Sequence, residues 1–250
     1  MTSLLVDIGN TDTCAGIAEG PEIVNSTRAT SSVSAHDFLQ GAPEFTPTSA
    51  IISSVVKEKT AEWTAAIKKM WNIDAVVLTP DVVENLISFN VDDSTKVGAD
   101  RIADAVGLKV FYGAPAIVVD FGTATNIEYV DENGTFEGGI IMTGVWSGMK
   151  SLSEFASALQ DVRLEVPKHV IGKTTETSVQ SGLLFGEAAR VDGLVKRIKE
   201  NLPHSVRKNV TVVATGGFCK LVAPLCDTVD FTDSLLTLKG LNFILNNVSC

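Results

Sequence analysis

The amino-acid sequence predicts an α/β protein of two related domains, residues 1–113 and 114–250, and three observations predict it. The first is a turn that occurs twice, once in each half. From Leu4 to Thr13, and again from Ala116 to Asn126, an apolar strand runs into Asp, one apolar residue, Gly, and then small hydroxyl or amide residues. The second is a strand, helix, strand alternation over Ser49–Val56, Lys57–Trp71 and Ala75–Leu78, which implies parallel pairing with a crossover helix. The third is length: 250 residues suffice for two ordinary domains with their own cores. Asp-x-Gly after a strand is common in plain hairpin turns. Two copies, one per half, point instead to two domains facing each other across a cleft in which a nucleotide would lie.

In chain order, residues 3–8 read as the first strand, with Thr13–Ala18 and Glu22–Thr27 as an antiparallel meander turned at Glu19-Gly20-Pro21. Ser34 caps a short helix to Leu39, with Asp37 three residues on. Residues 88–97 are polar and loop-like. From Ile102 to Val110 the apolar spacing is helical, so Asp100 and Arg101 fall in the first turn, where an Asp also serves as a simple cap. Gly98 beside them lets another molecule approach the backbone.

The second half repeats the pattern with strands at 116–120, 126–130 and 135–141 and a hairpin turn at Asp131-Glu132-Asn133-Gly134. Gly138, Gly139 and Gly144 follow, then a helix over 145–159. Thr177–Glu200 reads as a long helix with a broad apolar face. A core strand over 209–214 ends in Thr215-Gly216-Gly217, where free amides could meet an anion, and Leu235–Asn246 closes the chain as a helix.

Hydrophobic residues make up 45% and charged residues 20%, the profile of a compact globular protein. A net charge of −10 without a long basic run disfavours a nucleic-acid partner. Cys14, Cys219, Cys226 and Cys250 form no CxxC pair, and no apolar run reaches the roughly 20 residues that span a bilayer. The expectation is a soluble cytoplasmic protein with no nucleic acid and no membrane as partner, and with Cys14 as packing rather than a reactive thiol.

Together the motifs Asp7-Ile8-Gly9-Asn10-Thr11, Gly98-Ala99-Asp100-Arg101, Asp120-Phe121-Gly122-Thr123-Ala124-Thr125, Gly138-Gly139 and Thr215-Gly216-Gly217 resemble the type III pantothenate kinases. Ile52-Ser53-Ser54-Val55-Val56, the run from Ile171 to Glu176 and Gln180-Ser181-Gly182 follow the same family, in order along nearly the whole chain. The resemblance implies two ribonuclease H-like (actin-like ATPase) domains with mixed sheets. It also implies ATP-dependent phosphorylation of pantothenate, the first step towards coenzyme A. By that resemblance Asp100 is the general base, Gly98, Ala99, Asp100, Arg101 and Thr175 hold pantothenate, and Asp7, Ile8, Gly9, Asn10, Thr11, Asp12, Thr13, Cys14 and Thr123 cradle ATP. Asp120 binds a monovalent cation, K+ or NH4+, Asp7 meets Mg2+ directly or through a water, and the protein is a homodimer with its substrate pocket near the dimer interface.

The chain departs from the family at Lys57, Ser94 and Thr143, where proline is usual, and at Thr174, where asparagine is usual; no tyrosine precedes Ser94. Two rivals therefore remain: a kinase of the same superfamily acting on another small alcohol, and a non-catalytic nucleotide-binding regulator.

Overall fold

The computed structural model describes residues 1–41, 45–155 and 162–248, which fall into two compact units, Met1–Phe111 with Leu235–Cys250, and Tyr112–Ser234. Residues 156–159 of the expected helix and Cys250 lie outside the described residues.

The first unit begins with β1 (Thr2–Ile8), β2 (Asp12–Glu19) and β3 (Glu22–Thr30), an antiparallel meander. After α1 (Ala35–Gln40) come β4 (Ser49–Ser54), α2 (Lys57–Trp71) and β5 (Val76–Val77). β4 pairs in parallel with both β1 and β5, giving the sheet order β3-β2-β1-β4-β5. The short strand β6 (Ser88–Phe89) and the helix α3 (Ala99–Tyr112) follow.

Ser34 caps α1 as expected: its hydroxyl accepts the Asp37 N–H and donates to the Asp37 carboxylate. One sheet face, Leu4, Val6, Ile8, Ala50 and Ile52, is covered by α1 and α2. There Trp63 is fully buried with the Phe38 ring edge-on at 5.2 Å. Truncating such an aromatic costs about 3–5 kcal/mol, so this cluster holds the sheet that carries Asp7.

The second unit repeats the order. It has β7 (Ala116–Phe121), β8 (Ala124–Val130) and β9 (Thr135–Thr143) as an antiparallel meander. Then come α4 (Val145–Phe155), α5 (Thr175–Asn201), α6 (His204–Arg207), β10 (Thr211–Thr215), α7 (Cys219–Val222) and β11 (Phe231–Thr232). β10 runs parallel to β7 and β11, so the strands here stand β9-β8-β7-β10-β11, the same order as β3-β2-β1-β4-β5 in the first unit. α5 packs Leu184, Ala188, Val191 and Val195 onto Ile117, Val119, Phe121 and Ile127.

α5 starts at Thr175, two residues earlier than its apolar spacing suggests, because Thr174 and Thr177 form a reciprocal capping box. Thr174 therefore does the capping work that asparagine does equally well, which accounts for that departure.

The last helix, α8 (Leu236–Asn247), corrects the expected boundary: it belongs to the first unit, not the second. Gly16 on β2 leaves room for the Leu238 side chain, since a Cβ there would lie 2.9 Å from its Cδ1. Gly107 on α3 and Gly240 on α8 let the two helices approach backbone to backbone. Asn242 donates to the Gly20 carbonyl at 2.9 Å, and Thr237 donates to the buried Asp104 at 2.7 Å. An apolar helix at the chain's end goes where a sheet face is bare, whatever its place in the sequence.

Candidate functional site

In the first unit the end of β1 carries Asp7 between two neighbours fixed by register, Cys14 on β2 and Ser53 on β4. Ser53, fully buried, donates to Asp7 Oδ1 at 2.8 Å. The Asp7 carboxyl is nonetheless pushed up to about 7, first by burial and then by the Asp100 charge, with the Ser53 hydrogen bond and Arg28 opposing. Asp100, in the first turn of α3, is also raised by burial, opposed by the Arg101 backbone and guanidinium. Its Oδ1 accepts the Arg101 N–H at 2.9 Å, and it leans over Gly98, where a Cβ would come within 2.5 Å of that oxygen. Thus the structure brings Asp7 and Asp100 within electrostatic reach of each other, two carboxylates held out of water.

Between β1 and β2 the turn Gly9-Asn10-Thr11-Asp12 closes through Gly9 N–H to the Asp12 carbonyl at 2.9 Å. The N–H groups of Asn10 and Thr11 make no hydrogen bond among the described residues, and Asn10 is exposed. Two free amides at the mouth of a strand suit an anion. Ile8 and Thr13 are buried at 1% and 2%, so they hold the turn from beneath. Burial raises the Cys14 thiol, which fits packing. Arg28 on β3, opposite Cys14, brings a cation to this turn and lies 3.8 Å from Asp12. Sequence reasoning passed over Arg28 and Ser31, and it gave Ser53 a place in the family-like run Ile52–Val56 but no role; only the strand register sets it beside Asp7.

In the second unit the equivalent turn follows β7. Gly122 N–H closes on the Ala124 carbonyl at 3.0 Å, and Thr123 is exposed, its carbonyl taken by Ser147 at 2.7 Å. Gly144 must be glycine here, because a Cβ would sit 2.7 Å from the Gly122 and Thr123 carbonyl oxygens. Asp120 pairs with Thr215 on β10 and Asn126 on β8, so all three share one sheet face. Gly216, at φ +90°, presses against the Asp120 carboxylate, leaving no space for a side chain. Thr215 Oγ1 and Asn126 Oδ1 are buried and have no hydrogen-bond partner among the described residues. No group of three His, Cys, Asp or Glu that could hold a metal occurs among the described residues. A cation at Asp120 would therefore take hydroxyl, amide and water oxygens, which this donor set supplies.

Thr175 is exposed at the start of α5 and lines an open groove of about 820 Å3 with Leu152, Gly172, Lys173 and Ser178. None of the other residues expected to bind substrate or ATP lines that groove.

Residues 3–197 match the family described as type III pantothenate kinase. A type III pantothenate kinase from Halalkalibacterium halodurans is 36% identical over 252 residues, 96% of this chain and 97% of its own length. One from Exiguobacterium sp. is 35% identical with the same coverage of both chains. Among solved structures, the ethanolamine utilization protein EutJ from Carboxydothermus hydrogenoformans superimposes with a TM-score of 0.58 at 14% identity, covering 98% of this chain and 90% of its own. At that identity the likeness speaks for the fold alone, two α/β units of the actin-like ATPase kind. With the family matched over most of its length and relatives aligned end to end, this chain belongs to the type III pantothenate kinases.

Proposed function

We propose that this protein transfers the terminal phosphoryl group of ATP to the primary hydroxyl of pantothenate, the first step towards coenzyme A. The observation that carries the reading is the pair of desolvated carboxylates, Asp7 and Asp100, beside the free amides of Asn10 and Thr11, in a chain of this family.

Phosphoryl transfer asks a protein for alignment and charge neutralisation rather than covalent chemistry. Asp100 accepts the proton of the attacking hydroxyl as the new O–P bond forms and the bond to the ADP oxygen breaks. Burial favours this role, because it raises the proton affinity of the carboxylate. Arg101 directs its fork of donors at the substrate carboxylate, with Gly98 and Ala99 shaping the backbone around it. The amides of Asn10 and Thr11 hold phosphate oxygens, and Thr123 adds a hydroxyl contact. Asp7, ionised, holds Mg2+ directly or through water, and Asp120 with Thr215 and Asn126 holds K+ or NH4+. When bound, these cations supply positive charge against the phosphoryl oxygens.

Thr175 reaches the substrate in a homodimer. The adjacent Val170 and Ile171, ahead of α5, are 62% and 73% exposed, apolar side chains that association would cover. The expected setting is the cytoplasm; no helix among the described residues is long and apolar enough to cross a membrane.

ADP release measured with ATP, Mg2+ and pantothenate, in K+ and in Na+ alone, tests the reading. Release that depends on pantothenate and on K+ is expected. Release independent of pantothenate would make water the phosphoryl acceptor, the behaviour of a phosphohydrolase of the same fold, and none at all would favour a kinase for another small alcohol or a binding module. Asp100→Asn should cut turnover by roughly two to four orders of magnitude while the protein stays folded; near-normal turnover would remove Asp100 as the base.

A further inference from the structure

Ser31, just past the end of β3, touches the phosphate turn at three points. Its N–H donates to the Thr11 carbonyl at 2.7 Å, its hydroxyl donates to the Gly9 carbonyl at 2.8 Å, and Thr13 Oγ1 lies 3.1 Å from the same hydroxyl oxygen. The Gly9 carbonyl can only accept, so the Ser31 proton is committed to it. The Thr13 hydroxyl must then be the donor to Ser31. Proton order therefore runs from Thr13 to Ser31 to the Gly9 carbonyl, in a setting where Thr13 is 2% and Ser31 9% exposed.

The consequence for the turn follows from peptide planarity. In a trans peptide the C=O of one residue and the N–H of the next point in opposite directions. Holding the Gly9 carbonyl down onto Ser31 therefore turns the Asn10 N–H outward. Holding the Thr11 carbonyl fixes the far side of the same turn. In an ordinary two-residue hairpin the first carbonyl is often taken by the N–H of the fourth residue, a bond internal to the turn. Here Ser31 takes the Gly9 carbonyl from outside the turn.

We propose that Ser31 is a positioning residue for nucleotide binding: it holds the Gly9 carbonyl inward so that the Asn10 amide faces a phosphate, and it anchors the far side of the turn through the Thr11 carbonyl. Ser31 itself does not touch the nucleotide. The inference rests on the kinase reading above and adds to it a residue outside the recurring Asp-x-Gly motif. It also changes the role of Thr13, whose hydroxyl proton is spent on Ser31 and whose part is support rather than phosphate contact.

The test is Ser31→Ala alongside Ser31→Thr, which keeps the hydroxyl, and Ser31→Cys, which keeps the volume but donates weakly. Loss of a net hydrogen bond predicts a rise of roughly fivefold to tenfold in the ATP KM and in the ATP dissociation constant for Ser31→Ala and Ser31→Cys. The pantothenate KM and kcat should stay within about twofold, since Ser31 touches neither the base nor the residues proposed to hold pantothenate, and Ser31→Thr should stay near wild type. Amide exchange at Asn10 in the ligand-free protein should quicken in both hydroxyl-less variants. An unchanged ATP KM would overturn the inference. So would equal changes in both KM values with a lowered melting temperature, which would make Ser31 merely structural. Should Ser31→Ala fail to fold, Ser31→Cys gives the same comparison. A wild-type protein that binds no ATP would overturn the kinase reading itself, and this inference with it.

Discussion

Replacing Asp7 by Asn should make the ligand-free protein more stable while abolishing its activity. In the folded chain the Asp7 carboxyl is pushed up from 3.8 to about 7. Below the lower value both folded and unfolded chains hold the proton, and Asp7 contributes nothing. As pH rises above it, the unfolded chain ionises freely while the folded chain must keep the proton. The Asp7 contribution therefore turns against folding, and it stops growing only above about 7. A shift of this size corresponds to a ceiling of about 4 kcal/mol at pH 8.

Asn bears no charge, and its side-chain oxygen still accepts the Ser53 hydroxyl, so the substitution recovers most of the penalty. In EDTA, the melting temperature of Asp7→Asn relative to wild type should rise by about 5–10 °C at pH 8 and by much less at pH 5. The first melting transition is the one to follow, because two units need not unfold together. Mg2+ and ATP should narrow the gap by stabilising only the wild type. A variant that is less stable than wild type by the same margin at both pH values would refute the desolvated-carboxylate argument.

Two glycines give further tests. In Gly98→Ala the new Cβ meets Asp100 Oδ1 at 2.5 Å; a side-chain end gives way easily, so the melting temperature should hold while kcat falls by roughly tenfold to a hundredfold as the base moves. Unchanged kcat would mean that Asp100 does its work from another position. In Gly240→Ala the new Cβ would overlap the Ala103 carbonyl oxygen, which belongs to rigid helical backbone, so urea unfolding should show a loss of about 2 kcal/mol or more. Wild-type stability there would contradict the close crossing of α3 and α8.

What the sequence made legible was whatever is written in consecutive residues. Asp7 and Asp120 stand out because an apolar run ends in a carboxylate and a glycine, and Ser34 because its cap partner is three residues away. Ser31 stayed hidden, and Ser53, though part of the family-like run Ile52–Val56, showed no role. Ser53 sits in an apolar run, and its partner shows only when parallel pairing of β1 and β4 sets it opposite Asp7. That register comes from tertiary packing rather than local pattern. β5, β6 and β11 are two residues each, too short for any periodicity to register. The place of α8 escaped because an amphipathic helix advertises an apolar face but not the sheet it will cover.

The internal repeat also bears on the two proposed cation roles. Asp7 has a hydroxyl opposite it on the adjacent parallel strand, Ser53, and Asp120 has Thr215 in the same relation. Ser53 spends its proton on Asp7, whereas Thr215 Oγ1 has no partner among the described residues. On the antiparallel side Asp7 faces Cys14, a poor oxygen-site ligand, and Asp120 faces Asn126 with its own unpartnered oxygen. A desolvated monovalent cation needs several neutral oxygens around one carboxylate, and only the second turn leaves them uncommitted. The first turn has instead a second carboxylate, Asp100, close enough to raise the proton affinity of Asp7. Two negative groups close together suit a hydrated divalent ion and an incoming phosphate chain better than a bare monovalent one. The proposed division of labour between Asp7 and Asp120 thus rests on what their strand neighbours do with a single hydroxyl.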